Sequence, residues 1–136
     1  MADWLQNNGW EIIERRWRCR WGEIDLIAGE ISDRQLPQHQ HPYQRIAFVE
    51  VKTRRDRNWD AGGMLSINAQ KQAKLLQTAE IFLSDRPYFS DLPCQFDVAL
   101  VSYHRRSLPH DPINNSTTEY QLTLHRYISG AFDAAK

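Results

Sequence analysis

Cysteine is scarce in this sequence: Cys19 and Cys94 are the only two among 136 residues. Two isolated thiols supply neither the ligand set of a zinc ribbon nor the bridges of a disulfide scaffold. They read as buried thiols of a cytoplasmic protein. Long apolar runs are missing as well, and the mean hydropathy is -0.65, so no transmembrane helix is expected. Met1-Ala2-Asp3-Trp4-Leu5-Gln6 has no basic stretch and no apolar one, and does not read as a signal peptide. Net charge is absent too, because 17 Lys and Arg balance 17 Asp and Glu. That excludes a histone-like basic coat and leaves room for a local basic face. The six glycines form no Gly-x-x-x-x-Gly-Lys phosphate loop, no dinucleotide fingerprint and no Gly-x-Ser-x-Gly elbow. P-loop hydrolysis, hydride transfer and serine hydrolysis thereby lose their sequence support. His39, His41, His104 and His110 do not add up to a zinc set and read as solvated histidines.

What is present suits one compact domain over residues 1–136: 41% hydrophobic, 25% charged and 11% aromatic. Residues 2–8 read as the last turns of a helix that begins upstream, closed by Gly9. Aromatic and β-branched residues make 10–20 extended, with a basic edge. A strand of mixed burial follows over 23–28. Residues 30–45, polar and carrying Pro37 and Pro42, read as a loop insertion. A strand over 46–53 precedes a second loop. Ser66 can cap a helix over 66–84, in which Ala69, Ala73, Leu76, Ala79 and Leu83 recur at helical spacing and which Pro87 stops. Strands over 95–103 and 120–127 complete the order of helix, three strands, helix and two strands. The fold class is α/β, a mixed sheet of about five strands flanked by helices.

Alternation across a strand puts Glu23, Asp25 and Ile27 on one face of theirs, and Phe48, Glu50 and Lys52 on one face of the next. If these strands form an antiparallel hairpin, Asp25 lies opposite Glu50 with Lys52 beside them. Neighbouring carboxylates repel unless a cation joins them. Mg²⁺ or Mn²⁺ is the usual solution, held by the two acids, a backbone carbonyl such as that of Val51, and waters. The plain alternative is a set of cross-strand ion pairs without function.

Gly22-Glu23-Ile24-Asp25-Leu26-Ile27-Ala28, then Phe48-Val49-Glu50-Val51-Lys52-Thr53-Arg54, then the helix with Lys71, then Gln95-Phe96-Asp97-Val98, resemble the UPF0102 (YraN-like) family. That family is placed in the restriction-endonuclease-like, PD-(D/E)xK superfamily and is similar in fold to archaeal Holliday-junction resolvases. The resemblance implies a Mg²⁺- or Mn²⁺-dependent DNA endonuclease acting on branched or unusual DNA. Asp25 and Glu50 match its metal-binding acids and Lys52 its catalytic lysine. Asp97 matches a Phe-Asp pair that a structural hydrogen bond explains equally well. Family members carry a Gly-x-x-Gly-Glu stretch on the first helix, and no acid here matches it; Asp3 stands at the wrong place. A binding module that keeps the fold without cutting is therefore the alternative function. An interaction domain using the 30–45 loop is a third.

Arg15, Arg16, Arg18 and Arg20, with Lys52, Arg54, Arg55 and Arg57, flank the acids in sequence as a phosphate-gripping rim would. Arg16, Arg18, Arg20, Arg54, Arg55 and Lys71 are the expected nucleic-acid contacts. Trp17, Trp21 and Trp59 interleave with the arginines and are candidates for base stacking or for the core. DNA is the expected partner, no membrane is, and symmetric cutting would call for a homodimer.

Overall fold

Six residues of helix, Ala2–Asn7 (α1), are followed by Gly9, whose φ of 88° lies in the left-handed region that a residue with a side chain avoids. The chain then turns into strand. The computed structural model describes residues 1–32, 42–55, 67–107 and 118–132. After α1 come β1 (Trp10–Cys19), β2 (Gly22–Ile31) and β3 (Tyr43–Arg55), then α2 (Ala69–Ser84) and a 3-10 turn at Pro87–Phe89. Strands β4 (Cys94–Ser107) and β5 (Thr118–Phe132) close the described chain. Among the described residues no helix is long and apolar enough to cross a membrane.

The five strands form one sheet in sequence order. Strands β1, β2 and β3 are an antiparallel meander, β3 and β4 are parallel, and β5 returns antiparallel to β4. A parallel pair needs a crossover, and α2 supplies it on one face. Beneath α2 lie Ile24, Ile27, Ile46, Phe48, Phe96, Val98 and Leu100, meeting Leu75, Ala79 and Phe82 of the helix. Phe82 is fully buried, with Phe48 and Trp17 edge-on to its ring at 6.0 and 5.3 Å. Truncating it to alanine would cost about 3–5 kcal/mol.

The other face is built from smaller side chains, Ala28, Ala47, Val49, Ala99 and Val101, over which α1 lays Ala2 and Leu5. Small residues let this short helix sit close to the strands. Because both faces are covered, Ile46-Ala47-Phe48-Val49 is a continuous buried run rather than an alternating one.

Several boundaries differ from the sequence reading. The insertion expected over 30–45 is narrower, because β2 runs to Ile31 and β3 begins at Tyr43. Glu30 pairs with Arg45 across the hairpin, and the Ser32 amide donates to the Pro42 carbonyl at 2.8 Å. Ser66, the expected helix cap, lies outside the described residues. Asn68 caps α2 instead, its Oδ1 accepting from the Lys71 amide at 2.8 Å. Strand β5 also runs past the expected end at Tyr127, as far as Phe132.

Strand β1 is bent twice. Its register against β2 shifts between Ile12 and Glu14, and Arg16 takes a φ of 49°, the one positive value outside glycine among the described residues. Arg15 pairs with Leu26 and Trp17 with Ile24, so the bend at Arg16 lies across from Asp25.

Candidate functional site

The regular pairing of β2 with β3 reaches Leu26 and Val49. One step further, the Val51 amide donates to Asp25 Oδ2 at 2.8 Å. A side chain thus takes the amide of the neighbouring strand. A cleft of about 490 Å³ opens at this point, bordered by Met1, Arg15, Arg16, Asp25 and Val51. The bend at Arg16 turns β1 along its rim.

Glu50 follows Val49 and points to the α2 side of the sheet, the side of Phe48. The Glu50 side chain is only 14% exposed, and Lys71 Nζ from the first turn of α2 stands 3.5 Å from its Oε1. Both acids are half-buried and both titrate above their ordinary values. Burial is the main cause for Asp25, with Glu23 adding to it, while the Val51 hydrogen bond, Lys71 and Arg16 act in the opposite sense. For Glu50 burial again leads and the Asp25 charge comes second, partly offset by Lys71 and Lys52. Lys52 is shifted down by burial and by Arg54, against the pull of Glu50. Two acids that resist ionisation and a lysine that resists protonation therefore share a few residues of two strands.

The expected basic residues divide into groups. Arg16 borders the Asp25 cleft. Arg18 pairs with Glu23, Nε to Oε2 at 3.2 Å, and Arg20 lies over the Trp21 ring at 5.0 Å from its centroid. Arg54 donates to the Thr53 carbonyl at 3.0 Å, and Arg55 pairs in register with Tyr103 at the far end of β3. Lys71, expected as a nucleic-acid contact, stands against Glu50. Arg57, Trp59, His39, His41 and His110 lie outside the described residues. His104 shares a 3.0 Å hydrogen bond with Gln121.

Asp97 belongs to a different cluster. It is 1% exposed and accepts from Gln95 Nε2 at 2.9 Å, from the Gly130 amide at 2.9 Å and from the Tyr127 hydroxyl. Burial, and after it Asp97, push the Tyr127 hydroxyl well above the ordinary tyrosine range. Trp4 stacks on the Tyr127 ring at 4.6 Å, so α1, β4 and β5 meet there. Asp97 is thus a structural hydrogen-bond acceptor. Reading the sequence missed Tyr127, since its partnership depends on the β4–β5 register and no local spacing encodes that.

These features define an α/β protein whose five-stranded mixed sheet lies between two helices, with an acid pair where two antiparallel strands part. The chain belongs to the uncharacterised protein family UPF0102, whose model matches residues 1–101. The matched region runs from α1 into β4 and takes in Asp25, Glu50, Lys52, Lys71 and Asp97. A UPF0102 protein of Trichodesmium erythraeum is 43% identical over 150 aligned positions, which cover 97% of this chain and 83% of the relative. One from Acaryochloris marina is 45% identical, with 97% and 84% covered. One from a Nostoc species is 46% identical, with 98% and 88% covered.

Proposed function

We propose that this protein is a metal-dependent endonuclease that hydrolyses phosphodiesters of branched or otherwise unusual DNA. The observation that carries the reading is the acid pair: Asp25 fixed by the Val51 amide, and Glu50 on the next strand, both shifted up by burial. Carboxylates arranged in this way gain from a cation. Two carboxylates and the Val51 carbonyl are hard oxygen donors that suit Mg²⁺ or Mn²⁺, ions that keep several waters and share their shell with a phosphate. Among the described residues no group of three or more His, Cys, Asp or Glu side chains that could hold a metal ion occurs, so the side-chain acids of the proposed site number two.

Asp25, Glu50 and the Val51 carbonyl would hold the ion, which when bound supplies a water of lowered pKa and offsets charge on the phosphate. The rest falls to this chain. The Val51 amide fixes Asp25, and Lys71 holds Glu50 from the helix side. Lys52, with its proton affinity lowered, orients the attacking water and accepts or returns a proton. Water oxygen bonds to phosphorus, the bond from phosphorus to the leaving oxygen breaks, and that oxygen takes up a proton. Arg16, which borders the cleft, would hold the phosphate.

The test is a cleavage assay with end-labelled single strands, duplexes, flaps and four-way junctions. It is run with Mn²⁺ or with EDTA, on wild type and Glu50→Gln. Cutting that needs the ion and is lost in Glu50→Gln supports the reading. Retarded but uncut DNA would reassign the chain to a binding module, and no interaction with any of these DNAs would remove both.

A further inference from the structure

Trp17 lies on β1 and Trp21 in the two-residue turn that joins β1 to β2, and they meet opposite fates. Trp17 is packed edge-on against Phe82, while Trp21 remains 45% exposed. An indole with this much surface in water forfeits part of its burial free energy, and no aromatic stacking partner for it occurs among the described residues. The turn that carries it is nevertheless firmly held. The Trp21 amide donates to Cys19 Sγ at 3.4 Å, and Arg18 bonds Glu23 across the hairpin. Gly22 lies so close to α2 that a Cβ there would stand 2.9 Å from Thr78 Oγ1. The ring is therefore presented on a rigid corner.

The surroundings of that corner are cationic. The Arg20 guanidinium lies over the indole at 5.0 Å. Next to the turn is a hollow of about 60 Å³ whose lining includes Gly22, Glu23, Lys71 and Lys74. Lys71 also stands 3.5 Å from Glu50, so the hollow adjoins the acid pair. An aromatic face among several cations matches an unpaired base with its phosphates. A base inside a duplex is already stacked on both sides and has no free face to offer.

We infer that Trp21 is the stacking platform for an unpaired nucleotide, with Arg20, Lys71 and Lys74 taking the adjoining phosphates. The preferred substrate then has a single strand leaving a duplex, with the unpaired segment at the β1–β2 turn. This inference rests on the nuclease reading for its biological purpose, though the binding it describes can be measured apart from cutting.

The experiment is fluorescence anisotropy in EDTA, which prevents cutting, with labelled single-stranded, flap and blunt duplex DNA. Wild type, Trp21→Ala and Trp21→Phe are compared, and thermal melts confirm that all three are folded. We expect Trp21→Ala to weaken single-strand and flap binding by roughly tenfold or more. It should leave blunt duplex binding unchanged, and Trp21→Phe should recover most of the loss. Equal weakening on all three DNAs, or weakening on none, would overturn the inference. A wild type that binds no single-stranded or flap DNA would overturn it as well. Trp21-dependent binding with no metal-dependent cutting would sink the nuclease reading and leave this one standing. Cutting that persists while Trp21→Ala binds normally would do the reverse.

Discussion

Asp25 is held by the main chain of the strand that carries Glu50: its Oδ2 accepts from the Val51 amide at 2.8 Å. The first acid is thus positioned by the residue next to the second, and the two keep their spacing as long as the hairpin is intact. A separation of this kind depends on the backbone and needs no bound ion to set it.

The pair should make metal-free stability depend on pH. Both carboxyls titrate above their ordinary values of 3.8 and 4.5, so the folded state holds these protons more tightly than the unfolded chain does. Their contribution is complete below those ordinary values and is lost as the pH rises through the raised ones. Asp25→Asn with Glu50→Gln should therefore be more stable than wild type at neutral pH, by about 0.5–2 kcal/mol. The gap should close in acid. Urea melts across the carboxylate range check this, and a gap that widens in acid would contradict the sign. Adding Mg²⁺ or Mn²⁺ should stabilise wild type at neutral pH and leave the double variant unmoved.

Gly22→Ala should loosen the packing of α2 on the hairpin. The new methyl would meet the hydroxyl of buried Thr78, which donates to the Lys74 carbonyl at 2.7 Å within its own helix. We expect a loss of about 1–3 kcal/mol. Thr78→Ala makes room, so in the double variant the effect of Gly22→Ala should shrink by about 0.5 kcal/mol or more. Additive losses in thermal melts would mean that the helix and the turn do not press on each other there.

Asp97→Ala would strand the Tyr127 hydroxyl, the Gly130 amide and the Gln95 side-chain amide around an empty space. The expected cost is about 3 kcal/mol or more, against about 1 kcal/mol for Tyr127→Phe, which removes one partner only. In Asp97→Asn, ultraviolet titration should find Tyr127 ionising closer to the ordinary tyrosine range, because the Asp97 charge adds to burial and the Asp97 hydrogen bond in raising it. An unchanged titration would assign the shift to burial and the hydrogen bond.

Asn68→Ala removes the cap from α2 and should cost about 1 kcal/mol, with Asn68→Ser recovering most of it. The turn that frays carries Lys71. Amide exchange at residues 71–73 should quicken while the β3 and β4 amides stay protected, and uniform quickening would show instead that α2 and the sheet open together.

The central strands were legible in the sequence from their apolar runs, but the Asp25–Glu50 relationship was only conditional on an antiparallel hairpin in the right register. Ile46 to Val49 is buried on both faces and carries no alternation to fix one; the pairing of Leu26 with Val49 supplies it. Other features were hidden. The cap at Asn68 competes with Ser66 on equal chemical terms, and only the main-chain path separates them. The bend at Arg16 leaves no mark in composition, since arginine has no bias toward a positive φ. The contact of Lys71 with Glu50 depends on how α2 lies over β3, a packing angle that periodicity does not encode.

The parallel pairing of β3 with β4 bears on the order in which the molecule folds. Antiparallel neighbours in a meander pay for short closures, whereas a parallel pair must wait for the whole intervening helix to find its place. Asp25 and Glu50 are joined by the first kind of event, and Lys71 is delivered to Glu50 by the second. We expect refolding to pass through a stage in which the strands of the two acids are paired before the lysine arrives. Divalent ions would then quicken refolding of wild type and not of Asp25→Asn with Glu50→Gln. Equal acceleration of both in stopped-flow mixing would show that the crossover forms first.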